Sequence, residues 1–585
     1  MDNLSPIYTE KRECQDCYKC VRHCPVKAIK VEAGCASVIP NLCIYCGECV
    51  AVCPSGAKRV RDDLPAVRQL LATRERVLVS LAPSFVSEFP ELRPGQLIRG
   101  LRELGFHGVS ETALGAQQVS AQAAALLEAN PNRVLFSSAC PTVVCHLQKH
   151  RPEMLGHLTG LLSPLLTHGK MLRSLFGEDI GIVFIGPCIA KKIEAAQHPE
   201  LINIALTFAD LRRWFKQAKL IPEQALETPE DCFIPEASAE GAWYPIDGGM
   251  IAGMKSACAV NENSYMAFSG IPAMTKAMDG LEEFKPDHGL FLELLACEGG
   301  CVNGPQTGRR TGTAAKRYRI LQYARPPGLS LPRTPSLAIP ETFRSASPAP
   351  PLYTDAHLRE ALRLVGKNSA DDEMNCGGCG YDSCRAFAIA LITQKAERSM
   401  CVTYMRKLAL KKAHALIQKM PSAVVVVNEG LRILEHNAAF TALFVRDMPS
   451  GGAAPPGIEG GMLSEWMPFA QLFHSVLKTG EDILDRTLRF QETILSASIF
   501  TIERHCVVAG ILEDVTKPAV RKEQVIRKAR GIIQKNLETV QKIACLLGEN
   551  AAESEIALNS IIESFSPRKP EEPEPSHDWR KLYRR

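Results

Sequence analysis

No uninterrupted apolar run of about 18 residues occurs in the 585-residue chain, so no membrane-spanning helix is expected. Residues Met1 to Arg12 are polar and mixed in charge, and they lack the apolar run of a signal peptide. Charge of one sign is also scarce. The chain has 68 basic and 64 acidic residues, a net charge of +4. That excludes the strongly basic surface of a nucleic-acid or membrane-surface binder. There is no nucleotide-binding loop, no kinase phosphoacceptor segment and no DNA-binding motif. Hydrophobic content of 46% and charged content of 23% are ordinary for a globular protein. The length allows about four domains.

Cysteine, by contrast, is abundant. There are 22, most of them in tight metal-ligand spacings. A metal-loaded cytoplasmic protein is expected rather than a disulfide scaffold. Cys14, Cys17, Cys20 and Cys24 follow C-x2-C-x2-C-x3-C with Pro25 next, and Cys43, Cys46, Cys49 and Cys53 repeat it with Pro54 next. This is the run of two-cluster bacterial ferredoxins, in which the fourth cysteine of each run ligates the other cluster. The expected sets are therefore Cys14, Cys17, Cys20 and Cys53 for one cubane, and Cys43, Cys46, Cys49 and Cys24 for the second. Zinc is the alternative, disfavoured by the doubled pattern. Cys35 lies outside it as a bystander. Two such clusters imply one-electron transfer.

From about residue 75 the texture changes. Val77 to Pro83, Arg133 to Phe136 and Gly181 to Ile185 read as buried strands, with a helix over Gln96 to Gly105. The alternation predicts an α/β core with parallel sheets, where function sits past the carboxyl ends of strands. Three cysteine-bearing stretches follow: Ser137-Ser138-Ala139-Cys140-Pro141, Gly186-Pro187-Cys188-Ile189-Ala190-Lys191, and Leu295-Ala296-Cys297-Glu298-Gly299-Gly300-Cys301. The spacing of Cys297 and Cys301 predicts that both face one way on a helical turn, with Gly299 and Gly300 admitting something bulky. Together these stretches offer four thiolates, the number a 4Fe-4S cubane needs.

In order and character the three stretches resemble the signature segments of the iron-only (di-iron) hydrogenases, over roughly residues 75 to 325. The resemblance implies a cubane held by Cys140, Cys188, Cys297 and Cys301, with Cys301 bridging to a di-iron unit carrying carbonyl and cyanide ligands. It implies that Lys191 donates to one cyanide, that Ala82, Pro83 and Ser84 contact the other, and that Glu194 pairs with the lysine. The alternative for Lys191 and Glu194 is a solvated surface pair. The sequence also departs from the family. Ala139 stands where fast enzymes have a proton-relaying cysteine, and alanine neither donates nor accepts a proton. The helix through Val119 to Leu127 lacks the paired glutamates that continue the relay. Gly186 and Leu295 replace methionines, and Leu165 replaces a glutamine.

Residues 326–353 read as a Pro-rich linker. Cys376, Cys379, Cys384 and Cys401 form a third pattern, resembling a small single-cubane domain, with zinc as the alternative. A helix over Phe387 to Lys407 is expected to bring Cys401 back to the loop. Strands at Pro421 to Val427, Leu431 to Leu434 and Val507 to Thr516, with a helix opening at Asn437, resemble a PAS domain, a sensory and pairing module. Ile526, Ala529, Ile533, Val540 and Leu547 form an apolar stripe, either a dimer seam or a helix packed on its own domain.

The expected organisation is multidomain α/β and α+β. It comprises a two-cluster ferredoxin domain (1–62), an α/β hydrogenase active-site domain (75–325), a linker (326–353), a small helical 4Fe-4S domain (354–412), a PAS domain (413–516), C-terminal helices (517–565) and a disordered tail (566–585). The leading expectation is a slow hydrogen- or redox-sensing hydrogenase. It would use hydrogen and protons, a redox partner protein and a downstream signalling protein. The alternatives are a competent hydrogenase exchanging electrons with a ferredoxin-like partner, and an iron–sulfur scaffold with no di-iron unit.

Overall fold

The apolar runs do form buried strands, and a computed structural model arranges them in two parallel sheets. It describes residues 5–235, 240–257, 265–281, 284–308, 312–324, 336–347, 353–444, 457–516 and 531–534. These fall into two units, Met1–Glu397 and Arg398–Arg585. In the first unit one sheet has four strands in the order Gly108–Glu111, Val77–Leu81, Gly181–Gly186, Ile204–Thr207, all parallel. The other has three, in the order Tyr265–Ser269, Leu290–Leu295, Val134–Phe136, also parallel. Every residue of Val77–Leu81, Gly181–Gly186 and Leu290–Leu295 is buried. Continuous apolar strands of this kind are covered by helices on both faces. Helix Ala113–Ala129 packs against helix Pro164–Phe176, and one apolar core includes residues from both sheets.

The N-terminal cysteine repeat is also a repeat of backbone. Cys14 to Tyr18 and Cys43 to Gly47 share their conformation: Asp16 and Tyr45 have φ of 54° and 58°, and Tyr18 and Gly47 have φ of 55° and 79°. Each pair opens a short helix, Lys19–His23 and Glu48–Ala51. Strand Ile7–Thr9 pairs with Lys58–Val60, which closes the chain around both loops. Lys192 fastens this region to the α/β sheets. Its buried ammonium donates to Asp63 Oδ2 and Asp210 Oδ2, both at 2.9 Å, and to the Arg61 carbonyl at 3.0 Å.

Two expectations change. The segment read as a linker is partly built into the fold: Leu162 N donates to the Ile339 carbonyl at 2.9 Å, and Ile339 is fully buried. Ile339 packs in the core, and bonds such as Glu341 N to the Gly160 carbonyl and Ala346 N to the Gln148 carbonyl hold the rest of Ser336–Ser347 down. The single helix expected over Phe387 to Lys407 is two, Cys384–Ile392 and Val402–Lys419. Thr393 Oγ1 bonds back to the Ile389 carbonyl and Gln394 takes φ of 55°, which ends the first. Cys401 is the N-cap of the second helix.

The second unit contains a five-stranded antiparallel sheet in the order Ile433–His436, Ala423–Asn428, Val507–Asp514, Thr493–Glu503, Ile483–Phe490. Expectations for the stripe at 526–547 and the tail lie outside the described residues, apart from a helical turn at 531–534. Asn437 locks this unit's entry. Its Oδ1 accepts from Val424 N and Phe440 N at 2.9 Å each, and its Nδ2 donates to the carbonyls of Ser422, Ile417 and Met420. Asn437→Ala would strand these groups in a dry site and cost about 3 kcal/mol. Hydrogen exchange on the full chain should then show the strands around Val425 opening more readily, with Val77–Leu81 unchanged. Equal protection in both proteins would refute this account of Asn437.

Candidate metal centre

The cysteine-bearing segments of the central cavity, and the segment Ala82 to Ser84, each leave the carboxyl end of a parallel strand. Val77–Leu81 leads to Ala82, Pro83 and Ser84. Val134–Phe136 leads to Cys140, Gly181–Gly186 to Cys188, and Leu290–Leu295 to Cys297 and Cys301. The cavity of about 110 Å³ is lined by all these residues together with Ala139, Leu165, Phe184, Lys191 and Tyr244. Cys297 and Cys301 do not share a helical turn, contrary to the spacing argument. Gly299 and Gly300 take φ of +75° and +98°, and helical structure resumes only at Cys301. A Cβ on Gly300 would lie 2.3 Å from the Pro245 carbonyl oxygen, so the loop that brings the two thiols together needs glycine there.

The thiols act on one another. Burial pushes the Cys188 thiol up to about 11, and Cys140 adds to the shift. Burial raises Cys297 far above the ordinary thiol range, with Cys301, Cys188, Cys140 and Cys46 adding to it in that order. Burial, then Cys140 and Cys188, do the same to Cys301. Cys188, Cys297 and Cys301, whose ionisation is opposed by burial and by neighbouring thiols, form with Cys140 a donor set for a cation, since a bound metal deprotonates a coordinating thiol outright. Among the described residues no group of three or more donors could hold a single ion. Thiolates arranged about a cubane instead surround a body of eight atoms. A second sign of a missing partner is Ser84 Oγ, buried on the cavity wall with no hydrogen-bond partner among the described residues.

Lys191 and Glu194 are buried rather than solvated. Lys191 Nζ donates to Glu194 Oε2 at 2.6 Å and to Ser163 Oγ at 3.0 Å. These bonds hold the ammonium on the cavity wall. Gly186, where the resemblance implies methionine, has its space taken by Phe184: a Cβ there would lie 2.4 Å from the phenylalanine ring.

The ferredoxin cysteines gather in two groups, one around Cys20 and one around Cys49. Burial raises the Cys20 thiol to about 11, Lys58 opposes it, and Cys17, Cys14 and Cys53 add to it. Cys49 is raised by burial and by Cys46, Cys43 and Cys24. Cys35, read as a bystander, lies beside Cys14, and burial and Cys14 together raise its thiol. Gly47 packs against Ile189 and Pro305, the residues next to Cys188 and after Gly304. The influence of Cys46 on Cys297 places the second ferredoxin set next to the central one. In the small domain Cys376 is exposed, Cys379 is half-buried and Cys384 is buried within the first unit, and Cys401 is buried within the second.

Sequence reasoning missed one group near the centre. Glu293, 1% exposed, lies in the middle of Leu290–Leu295 and accepts from Ile251 N at 3.1 Å. Burial pushes its carboxyl up to about 7 against the pull of backbone N–H groups. Its charge acts on Tyr244, whose hydroxyl pairs with Ser120 Oγ at 2.9 Å on helix Ala113–Ala129. The signal was available: a lone carboxylate inside an apolar strand run.

These four-thiol sites on α/β sheets define an iron–sulfur protein. Residues 75–305 match the family model "Iron only hydrogenase large subunit, C-terminal domain", residues 36–59 match "4Fe-4S binding domain", and an Fe-S cluster model matches residues 372–403. Residues 75–305 are thus a domain of the iron-only hydrogenase family. The chain is 28% identical over 310 residues to "Iron hydrogenase 1" of Clostridium pasteurianum, covering 43% of this chain and 53% of that protein, so it spans about half of that relative's length. It is 27% identical over 227 residues to "Cytosolic Fe-S cluster assembly factor nar1" of Aspergillus clavatus, covering 34% of this chain and 38% of that one. FeFe-hydrogenase HydA1 from Chlamydomonas reinhardtii aligns with 20% identity and a TM-score of 0.38, over 48% of this chain and 99% of that one. No described helix is long and apolar enough to cross a membrane.

The position of Glu293 predicts a pH effect. A buried carboxyl raised from 4.5 to about 7 favours the fold while protonated. That stability is complete below the ordinary carboxyl range and is lost as pH rises through about 7, a change on the order of 3 kcal/mol. Glu293→Gln removes the titration. Melting of cluster-loaded protein should fall between about pH 5 and 8 in the wild type and fall less in the variant. Parallel curves would show that Glu293 is ionised in the fold.

Proposed function

We propose that this chain is a slow hydrogen- or redox-sensing member of its family. The division into ferredoxin (1–62), active-site (75–325), small cluster (354–412) and PAS (413–516) regions is part of the proposal. Four cubanes are its cofactors: Cys14, Cys17, Cys20 and Cys53; Cys43, Cys46, Cys49 and Cys24; Cys140, Cys188, Cys297 and Cys301; and Cys376, Cys379, Cys384 and Cys401. A di-iron unit with carbonyl and cyanide ligands joins the third through Cys301. Lys191 donates to one cyanide and Ser84, with Ala82 and Pro83, contacts the other. The unpartnered Ser84 hydroxyl supports this, because a bare cubane leaves that donor without an acceptor.

When bound, the di-iron unit supplies hydrogen cleavage. The chain must then take up the proton. The observation carrying the slow reading is that Ala139 lines the cavity where a proton acceptor would serve. Glu194 is occupied by Lys191. Glu293 and Tyr244 offer a second, less direct exit. The antiparallel sheet order of the second unit supports a PAS reading, and sensing would reach a downstream partner through it.

A second reading, an iron–sulfur scaffold without the di-iron unit, is favoured by the similarity to the assembly factor. Infrared spectra of matured protein separate the two: iron-bound carbonyl and cyanide bands support the sensor, and their absence supports the scaffold.

Iron and acid-labile sulfide after anaerobic reconstitution without di-iron maturation should give about 16 iron atoms per chain, four per cubane. Stoichiometric zinc with less iron would overturn the small-domain assignment. For the proton step, matured Ala139→Cys at equal metal loading should turn over hydrogen faster. The gain would be part of the 10²–10⁴-fold, roughly, that positioned acid–base groups supply. Equal or lower turnover with unchanged infrared bands would show that another step limits the site.

A further inference from the structure

The small cysteine domain rests on the ferredoxin region at one particular place. Gly380, at φ +89°, lies against the helix Lys19–His23: a Cβ there would sit 2.9 Å from Val21 Cγ1 and 3.1 Å from Arg22 N. Val31 N donates to the Lys395 carbonyl at 2.9 Å, and Lys27 pairs with Asp382 at 3.8 Å. The helix that Gly380 touches ends at Cys24, its C-cap. Between the two regions lies Tyr381, 4% exposed and packed on Phe387. Its hydroxyl is buried with no hydrogen-bond partner among the described residues. Burial raises its phenol, and the charges of Cys379 and then Cys24 add to the shift, so the ring lies near a sulfur of each set.

A buried hydroxyl without a partner is costly unless something in the working protein accepts from it. Cluster sulfurs are such acceptors, and hydrogen bonds to them raise a cluster's reduction potential. Electron tunnelling falls off exponentially with distance, so the cubanes in closest approach carry the current.

Resting on the cubane reading above, we propose that the Cys379–Tyr381 loop docks the small-domain cubane against the Cys24-containing cubane, with Tyr381 donating its hydroxyl to a sulfur at this junction. The Cys24-containing cubane is then a three-way node. It exchanges electrons with the small domain on one side, with the central site through Cys46 and Cys297 on another, and with the Cys14-containing cubane.

The test is electron paramagnetic resonance of dithionite-reduced, fully reconstituted full-length protein, with iron counted in every sample. Spin–spin broadening between the two cubanes is expected. It should vanish in Cys379→Ser/Cys384→Ser, which loses four irons, and in Gly380→Val, which loses none. It should persist in Cys14→Ser/Cys17→Ser. Tyr381→Phe keeps the ring and should lower the midpoint potential of one of the two junction cubanes only. A small-domain signal that is the same with or without the Cys24-containing cubane (Cys43→Ser/Cys49→Ser) would overturn the docking. Unchanged potentials in Tyr381→Phe would overturn the hydroxyl's role. Iron four short in the wild type would instead overturn the cubane reading itself.

Discussion

Four cysteines share one cavity and call for a cation there, and the architecture around the cavity follows from that constraint. Burial and mutual repulsion hold Cys188, Cys297 and Cys301 far from their charged forms. Iron supplies the missing charge, so metal binding and folding of this site are one free-energy balance. The protein's part is to deliver donors from distant points in the chain to the same place. Parallel strands do this well, because their carboxyl ends point one way and stop at one level. The two sheets bring residues 82–84, 140, 188 and 297–301 together without a long loop.

The same economy governs the contact between the ferredoxin region and the sheets. Charged groups are buried there, each with several partners. Lys192 has two carboxylates and a carbonyl. Lys149 donates to the carbonyls of Pro40 and Cys43. Within the ferredoxin region itself, Lys58 ties Thr9 to the Ala36 carbonyl. Removing one partner of such a group costs more than forming the pair contributes, so these lysines fix orientation more than they add stability. Orientation is what electron transfer between neighbouring clusters demands.

Much of this was legible in the sequence because covalent ligand chemistry leaves fixed spacings. The doubled cysteine run, the buried strands and the three cysteine stretches could be read without a structure, and the residues they name are brought together. What could not be read depended on contacts across long separations or on local backbone choices. Tyr244 meets Ser120 across 124 positions, and Glu293 meets Ile251 across 42. The break after Ile392 depends on one threonine turning back on its own helix. The seating of Ile339 hides in a stretch whose composition reads as a linker. The helical turn expected for Cys297 and Cys301 fails for a related reason. Identical i, i+4 spacing arises from a helix or from a glycine loop, and only the positive φ values of Gly299 and Gly300 distinguish them.

Electrons and protons make unequal demands on a chain, and this one meets them unequally. An electron needs only short gaps between clusters, and neighbouring cysteine sets supply them. A proton needs an unbroken series of donors and acceptors at hydrogen-bond distance, and one apolar residue interrupts it. At the cavity wall the series begins at Ala139 and is interrupted there. The remaining titratable groups lie off the direct path: Glu194 holds Lys191, and Glu293, which accepts from Ile251 N, offers with Tyr244 only a less direct exit. A site with generous electronic wiring and a throttled proton exit equilibrates its clusters with their surroundings faster than it turns over substrate. On the proposed reading, that is the behaviour of a detector. It makes the proton step, rather than the cluster ligands, the place where a sensor and a fast enzyme of this family diverge.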